Sequence, residues 1–388
     1  MNRTLRLQQL HVSNARRGKL VVATQFEHPE RGPVRCDAAS LLAAALQADG
    51  ARDVCLALAD VCPAPADGDG VMFTASYTDR SASASGFGIA AHRDDRAGLL
   101  RAEQAVASWS GAMRTRRLIL ADADPSCPGE RRAQELTAGA YRPRRDSDEI
   151  PAIFPAAGVA LSVQVEAAAR GLDVIDATCP LVAAAHADVR AYAGRGDTVI
   201  LIGQPGRAAF ATFTQQGAES LIPVTSVADV ETIAGLDPDR VSFVVQTGLP
   251  VEQAQPVIAA LRARFPRLRG HHYDVLCYAA SDRIETVRAV ARASDLLLVL
   301  GSERDPDCRD LAAAAGTEPA LVQVLNDLGQ LRPDILAGAG VIGLAVARSA
   351  PDRLAGQVRE ALSGLGPLSA VTRRVSTEAL IAEPALRT

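Results

Sequence analysis

The sequence has few aromatic residues, no strong excess of either charge and no Cys-x-x-Cys pair. Aromatic residues make up 4% of the 388 residues, and the formal net charge is -4. No basic stripe is interleaved with aromatic residues, so a nucleic-acid partner is not expected. Zinc ribbons require Cys-x-x-Cys pairs, and their absence argues against that class of metal site.

Long apolar runs are also missing. No run approaches the length of a membrane span, and the first 19 residues contain no apolar core of a secretory signal. We therefore expect a cytoplasmic protein without a membrane partner. In such a compartment the seven cysteines do not form a disulfide framework. They are buried apolar residues, reactive thiols or metal ligands.

From Arg117 onward, apolar strand-like runs alternate with helical patterns. Typical runs are TVILIG (198–203), VSFVVQTG (241–248) and DLLLVLGS (295–302). Near-continuous apolar strands that alternate with helices indicate parallel sheets covered on both faces. The sequence therefore predicts an α/β fold, with its ligand crevice at the carboxyl ends of the strands.

Three cysteines share one local context, because each follows a strand-like run and stands where a helix begins. These are Cys127 after RLILADADPS, Cys179 after DVIDAT and Cys277 after YDVL. A helix N-terminus favours a thiolate, which is the ligand that iron–sulfur clusters need. Three equivalent sites can converge on one [4Fe–4S] cluster. Three ligands would leave one iron open to act as a Lewis acid.

The alternative is that these three cysteines are buried structural residues, since free cysteine is among the most buried residue types. We assign the remaining cysteines, Cys36, Cys55, Cys62 and Cys308, to packing. His186 follows Cys179 by seven residues, about two helical turns, so we expect it to pack and not to bind metal.

Eight strings occur in the order and spacing of the LytB-type reductases, the hydroxymethylbutenyl diphosphate reductases of the non-mevalonate isoprenoid pathway. They lie between Arg117 and Leu365 and are ILADADPSCPG, FPAAGV, DVIDATCPLV, LIGQPGR, VVQTGL, DVLCYA, VLGSERDPDC and VARSAPDRL. The chain resembles this family. The resemblance implies a [4Fe–4S] cluster on Cys127, Cys179 and Cys277. It also implies reductive removal of an allylic hydroxyl bound to the open iron, with electrons from ferredoxin or flavodoxin.

The resemblance also implies three similar α/β units around a pseudo-threefold axis that encloses the cluster, preceded here by an N-terminal α/β extension. The predicted divisions are the extension (1–112), a shortened first unit (113–178), a second unit (179–272), a third unit (273–370) and a tail (371–388). The first unit is shortened because a segment between Cys127 and FPAAGV is missing.

Several residues that hold the diphosphate in the family are replaced in this chain. Ala157 and Arg207 stand at family histidine positions, and Ala209 stands at the position of the glutamate that delivers protons. Gly248 replaces a second threonine, and residues 305–307 replace a Ser-Asn cluster. A diphosphate needs donors and positive charge, so these changes predict a rebuilt substrate pocket.

The remaining polar residues of the motifs supply candidates for the rebuilt pocket. Candidate substrate-binding residues are Arg207, Thr247, Arg304, Arg348 and Ser349. Arginine binds anions through two parallel hydrogen bonds, although each arginine could instead be a solvated surface residue. Candidate proton donors are Glu303, Asp305 and Asp307, which could equally cap a helix.

The predicted function is reductive removal of a hydroxyl group from a small substrate. The substrate could be anionic, and the reaction could belong to isoprenoid biosynthesis or to specialised metabolism. Three alternatives stay open at this point. The chain could be an ordinary 4-hydroxy-3-methylbut-2-enyl diphosphate reductase, or an iron–sulfur hydro-lyase that uses the open iron only as a Lewis acid. It could also be a non-catalytic iron–sulfur sensor or accessory protein. Consumption of electrons during turnover separates the reductases from the hydro-lyase.

Overall fold

The computed structural model describes residues 5–63, 67–79, 82–123, 127–140, 151–217, 221–270 and 276–376. The chain divides into two compact units. We call Met1–Ala123 together with Ile284–Val375 the extended unit, and Asp124–Arg283 together with Ser376–Thr388 the cysteine unit. Among the residues described, no helix is both long and apolar enough to cross a bilayer.

Strands and helices alternate along most of the chain, as the apolar pattern predicts. The strands are β1 (Arg6–Val12), β2 (Leu20–His28), β3 (Gly32–Arg35), β4 (Val54–Ala59), β5 (Gly70–Thr78), β6 (Ala84–His92), β7 (Arg116–Ala121), β8 (Ala152–Phe154), β9 (Val174–Asp176), β10 (Thr198–Ile202), β11 (Leu221–Val224), β12 (Val241–Val245), β13 (Arg269–Gly270), β14 (Leu296–Leu300), β15 (Leu321–Leu325), β16 (Val341–Val346) and β17 (Leu368–Arg373). The helices are α1 (Ala39–Ala48), α2 (Arg96–Gly111), α3 (Pro128–Ala140), α4 (Leu161–Ala169), α5 (Pro180–Gly194), α6 (Ala208–Thr214), α7 (Val227–Thr232), α8 (Val251–Arg264), α9 (Ala279–Arg292), α10 (Pro306–Ala315), α11 (Pro333–Gly338) and α12 (Leu354–Gly364).

The extended unit contains two sheets. Its N-terminal sheet is mixed, with the order β1-β5-β6-β3-β2-β4, and β5 and β6 form an antiparallel hairpin. Its second sheet is parallel, with the order β15-β14-β16-β7-β17. The α/β fold with parallel sheets is thus confirmed.

The central strands β14 and β16 of this parallel sheet are buried on both faces, which explains their near-continuous apolar sequences. In β14, Leu296 and Leu298 belong to the core formed with α11 and α12. Leu297 and Val299 point the other way, into the core formed with α9 and α10. Because side chains alternate along a strand, both sets must be apolar when helices cover both faces.

The N-terminal residues share one core with the parallel sheet. Helix α1 packs against α12 and the 3-10 turn at Leu328–Gln330, while α2 packs against α11. Most residues of α1 are buried, so the helix needs cover on two sides, and its own sheet provides only one. The extension that the sequence analysis treats as separate therefore continues the core of the residues after Ile284.

Arg116 joins the two parts of this core. Its buried guanidinium donates to the carbonyl oxygens of Ala112, which follows α2, and of Leu336 in α11. Burial, followed by the nearby charge of Arg114, lowers the pKa of Arg116 to about 10. The carbonyls at helix C-termini carry negative partial charge, so one cation stabilises the ends of both helices.

The cysteine unit contains a parallel sheet of order β11-β10-β12-β13 and a small parallel pair, β8 and β9. One strand departs from the predicted divisions. Strand β7, which lies within 113–178, pairs with β16 and β17 and so belongs to the sheet of the extended unit. Among the described residues of 113–178, β8 and β9 pair with each other. The domain boundaries and the threefold arrangement stay predictions.

The contact between α12 and α1 can be tested with two glycines of the same helix. A Cβ atom on Gly364 would lie 2.2 Å from the backbone nitrogen of Ala38, whereas a Cβ atom on Gly356 would meet nothing within 4 Å. We expect Gly364→Ala to lower the free energy of unfolding by about 1–3 kcal/mol because the backbones must separate. Gly356→Ala should raise it by about 0.5–1 kcal/mol.

Urea unfolding of both variants measures this difference. Equal stabilities of the Gly364 and Gly356 variants would contradict the close docking of α1 on α12.

Candidate iron–sulfur site

The structure starts a helix at or just after each of the three predicted ligands. Cys179 follows β9 and is the N-cap of α5, Cys127 directly precedes α3, and Cys277 precedes α9 by two residues. Proline follows Cys127 and Cys179 at the first helical position, where its fixed φ suits the helix and its missing N–H costs nothing. The strand predicted at YDVL falls mostly outside the residues that the structure describes.

The thiols of all three cysteines lie close enough to influence one another. A Cβ atom on Gly129 would lie 2.6 Å from the Sγ atom of Cys179 and 3.8 Å from that of Cys127, so only glycine fits at this position. Burial raises the pKa of Cys277; N–H donors of Ala279 and Gly248 oppose this effect, and the nearby thiols of Cys127 and Cys179 add to it. The convergence predicted from three separate motifs is therefore present within the cysteine unit.

Cys127 and Glu130 hold each other through two reciprocal hydrogen bonds. The N–H of Cys127 donates to Oε2 of Glu130 at 3.0 Å, and the N–H of Glu130 donates to the Sγ atom of Cys127 at 3.4 Å. This is the geometry of a capping box, with a thiol in place of the usual hydroxyl. Glu130 is not among the predicted site residues, although the pattern Cys-x-x-Glu at a predicted helix start indicates such a capping box.

The donor set fits an iron–sulfur cluster. Such clusters are held by cysteine thiolates, and hydrogen bonds to the sulfurs tune their reduction potential. N–H groups of Glu130, Ala279 and Gly248 donate to the Sγ atoms of Cys127 and Cys277. Among the residues described, no three His, Cys, Asp or Glu side chains are placed to bind one metal ion together.

Thr247 is the predicted substrate-binding residue that lies beside a cysteine. It follows β12 and lines a small cavity together with Cys277, Gln246, Leu181 and Leu276. The remaining lining residues are apolar: Ala185, Val245, Leu249 and Val251. A hydroxyl next to a candidate cluster ligand is in a position to contact a bound molecule, which keeps the predicted role of Thr247 open.

A chain of glutamines positions Arg207. The buried Oε1 atom of Gln246 accepts the N–H of Gln204 at 2.8 Å, and Oε1 of Gln204 accepts the Nε–H of Arg207 at 2.6 Å. The side chain of Gln204 also donates to Gln253 at 2.9 Å. The loops after β10 and β12 are thereby locked together. From the sequence, Gln246 was only one letter of the VVQTGL motif, and its hydrogen bond to Gln204 was not predicted.

Most other predicted site residues lie in the extended unit, at the carboxyl ends of β14 and β16. Asp305 is the N-cap of α10 and accepts the N–H of Asp307 at 3.3 Å. Asp307 accepts the N–H of Arg348 at 2.9 Å, and Ser349 accepts the N–H of Ser302 at 3.0 Å. Asp305 therefore caps α10, which is the alternative role stated for the acidic residues.

Asp305 differs from its neighbours in one respect. Its Oδ2 atom is buried and has no hydrogen-bond partner among the residues described. Glu303 and Arg304 are exposed in the turn that precedes α10. The structure brings these acids and arginines to one edge of one sheet, while their catalytic and substrate-binding roles stay predictions.

The packing prediction is confirmed for Cys36, Cys308 and His186, whereas Cys55 and Cys62 are only partly buried. Cys36 and Cys308 are buried in apolar cores, and burial, followed by the charge of Asp37, raises the pKa of Cys36 to about 12. His186 is buried against Phe213, with 4.7 Å between ring centroids, and its Nε2 atom lies 3.1 Å from Oγ1 of Thr212. It is a core residue of α5.

Comparisons with known proteins agree with these observations. Residues 128–363 match the sequence profile of the family described as LytB protein. The 4-hydroxy-3-methylbut-2-enyl diphosphate reductase of Acidithiobacillus ferrooxidans is 37% identical over 224 residues, which are 56% of this chain and 71% of that protein. Reductase 2 of Mycobacterium bovis, with the same name, is 36% identical over 244 residues, which are 60% of this chain and 73% of that protein.

A solved structure is similar in fold. The E-1-hydroxy-2-methyl-but-2-enyl-4-diphosphate reductase from Plasmodium falciparum superimposes with a TM-score of 0.56 at 20% sequence identity. The match covers 71% of this chain and all of that chain. At this identity the likeness concerns the fold alone.

His186 makes the stability of the protein depend on pH. Burial, with a smaller effect of Arg190, lowers its pKa from 6.5 to about 4. A histidine whose pKa is lowered in the folded state contributes its full stability above pH 6.5 and loses it as the pH falls toward 4. We expect the urea midpoint to fall over this range and His186→Gln to flatten the fall.

The control is His11→Gln, on β1 of the extended unit. The same pH profile in the His186 variant and the wild type would contradict this account of His186.

Proposed function

Because this chain belongs to the LytB protein family, an oxidoreductase family, we propose that it is a [4Fe–4S]-dependent enzyme that removes a hydroxyl group from a small substrate by reduction. The observation that supports this most directly is the convergence of Cys127, Cys179 and Cys277 in the cysteine unit. When bound, such a cluster supplies electrons and one iron without a protein thiolate.

The residues of the chain hold and orient the components of this reaction. The three cysteines would bind the cluster, and Gly129 leaves the space in which two of the thiols approach each other. Ferredoxin or flavodoxin would deliver the electrons. The candidate substrate-binding residues are Arg207, Thr247, Arg304, Arg348 and Ser349, and the candidate proton donors are Glu303, Asp305 and Asp307.

The substrate is proposed to differ from the diphosphate named for the relatives. At the positions where the resemblance implies a histidine and a glutamate, Ala157 and Ala209 offer no side-chain donor or acid. Arg207 keeps a positive charge, held by Gln204, and can bind one anionic group. A small hydroxylated molecule with less charge than a diphosphate fits these residues. The ordinary diphosphate substrate is the second candidate, because one reductase of that name is 37% identical over a match that covers 71% of its length.

The cluster is tested by metal analysis of protein purified without oxygen. We expect about four irons per chain and loss of iron in Cys127→Ser, Cys179→Ser and Cys277→Ser, because each removes a ligand. Cys55→Ser and Cys62→Ser, in the N-terminal sheet region, are matched controls that should keep their iron. Folded wild-type protein that binds no iron would refute the proposal.

The substrate is tested in a reductant-coupled assay with 4-hydroxy-3-methylbut-2-enyl diphosphate, beside the Acidithiobacillus ferrooxidans relative. Each lost charge-assisted hydrogen bond is worth about 1.5–3 kcal/mol, so we expect kcat/KM to be more than about tenfold lower than for that relative. The double variant Ala157→His, Ala209→Glu should raise it.

A kcat/KM within tenfold of the relative would show that Arg207 and its neighbours compensate, and the ordinary substrate would then be correct. Turnover of any substrate without consumption of electrons would instead indicate a hydro-lyase.

A further inference from the structure

Glu130 is hydrogen-bonded to Cys127, a candidate cluster ligand, and has no role in the proposed reaction so far. Its carboxylate accepts the N–H of Cys127, and its own N–H donates to the Sγ atom of the same residue. We propose that Glu130 is a positioning residue that fixes Cys127 as a ligand and lowers the reduction potential of the cluster through its negative charge. This inference rests on the proposed function.

The positioning part follows from the closed ring of hydrogen bonds. The bonds at 3.0 Å and 3.4 Å connect residues 127 and 130 in both directions, across Pro128 and Gly129. Proline restricts the backbone between them, and the glycine lies against the thiol of Cys179. The side chain of Cys127 therefore has one favoured direction, toward the other two thiols, before any cluster binds.

The electrostatic part follows from the sign of the charge. Oε2 of Glu130 lies 3.0 Å from the backbone nitrogen of Cys127, and the Sγ atom of Cys127 lies 3.4 Å from the backbone nitrogen of Glu130. The carboxylate is therefore held beside the residue whose sulfur would bind the cluster. A fixed negative charge repels an added electron, so the carboxylate makes reduction of a bound cluster harder. The reduced cluster becomes a stronger electron donor to the substrate.

Cys179 shows that a ligand can be fixed in another way. Its N–H donates to the carbonyl oxygen of Ala156 at 3.0 Å, a neutral partner, and its helix begins without an acidic residue in the first turn. A carboxylate is therefore not required to begin a helix at a cysteine of this site. The charge at Glu130 is a separate feature with its own effect.

Two substitutions separate the hydrogen bond from the charge. Glu130→Gln keeps a side-chain oxygen that can accept the N–H of Cys127 but removes the charge, whereas Glu130→Ala removes both. Glu135→Gln is the matched control, because it changes the same charge at an exposed position of the same helix. All are made in the full chain, purified without oxygen, and their urea midpoints are compared with that of the wild type.

The measurements are iron content, the midpoint potential of the cluster from an electron paramagnetic resonance titration, and the rate of iron loss to a chelator. We expect Glu130→Gln to keep the wild-type rate of iron loss with a more positive midpoint potential. Glu130→Ala should share that shift and lose iron about tenfold faster, since it also loses one hydrogen bond to a charged group. Glu135→Gln should match the wild type in both.

Three outcomes would overturn the inference. A wild-type midpoint potential in Glu130→Gln would remove the electrostatic role, and a wild-type rate of iron loss in Glu130→Ala would remove the positioning role. An equal shift in Glu135→Gln would mean that any charge on α3 has the same effect. Iron content is measured first, so wild-type protein without iron identifies a failure of the proposed function itself.

Discussion

The candidate site depends on one steric and electrostatic constraint, which is that thiols from three distant segments must meet near the starts of their helices. Burial and the neighbouring thiols raise the pKa of Cys127 and Cys277, and N–H groups at these helix starts oppose that effect by donating to the sulfurs. Gly129 shows how tight the arrangement is, because a single methyl group would collide with the Sγ atom of Cys179. Proline at the first helical position keeps two of these starts in place.

The rest of the cysteine unit supports these helix starts. The parallel order of β10, β11 and β12 brings their carboxyl ends to one edge, and Gln246 ties two of the following loops together through Gln204. Since a buried amide must find partners, the glutamine chain also restricts where Arg207 can lie.

The extended unit follows a different principle, in which one apolar core serves both sheets. Helix α1 is buried on most sides and needs α12 as a second partner, and Arg116 neutralises the ends of α2 and α11. At the carboxyl edge of its parallel sheet, Asp305 and Asp307 are engaged with backbone N–H groups. These carboxylates hold the loops after β14 and β16 in place. Among the residues described, the buried Oδ2 atom of Asp305 has no hydrogen-bond partner.

The sequence by itself determined the local features of this protein. Periodicity showed strands buried on both faces, and residue type and local context indicated the packing of Cys36, Cys308 and His186, because these features depend on neighbouring residues and on burial alone. The shared strand–Cys–helix context singled out the three thiols for the same reason. Only the tertiary structure decided that β7 pairs with β16 and β17, that α1 docks on α12, and that Gln246 holds Gln204. An apolar pattern states that a face is buried but not which distant segment covers it, and hydrogen bonds between loops far apart in sequence leave no periodic trace.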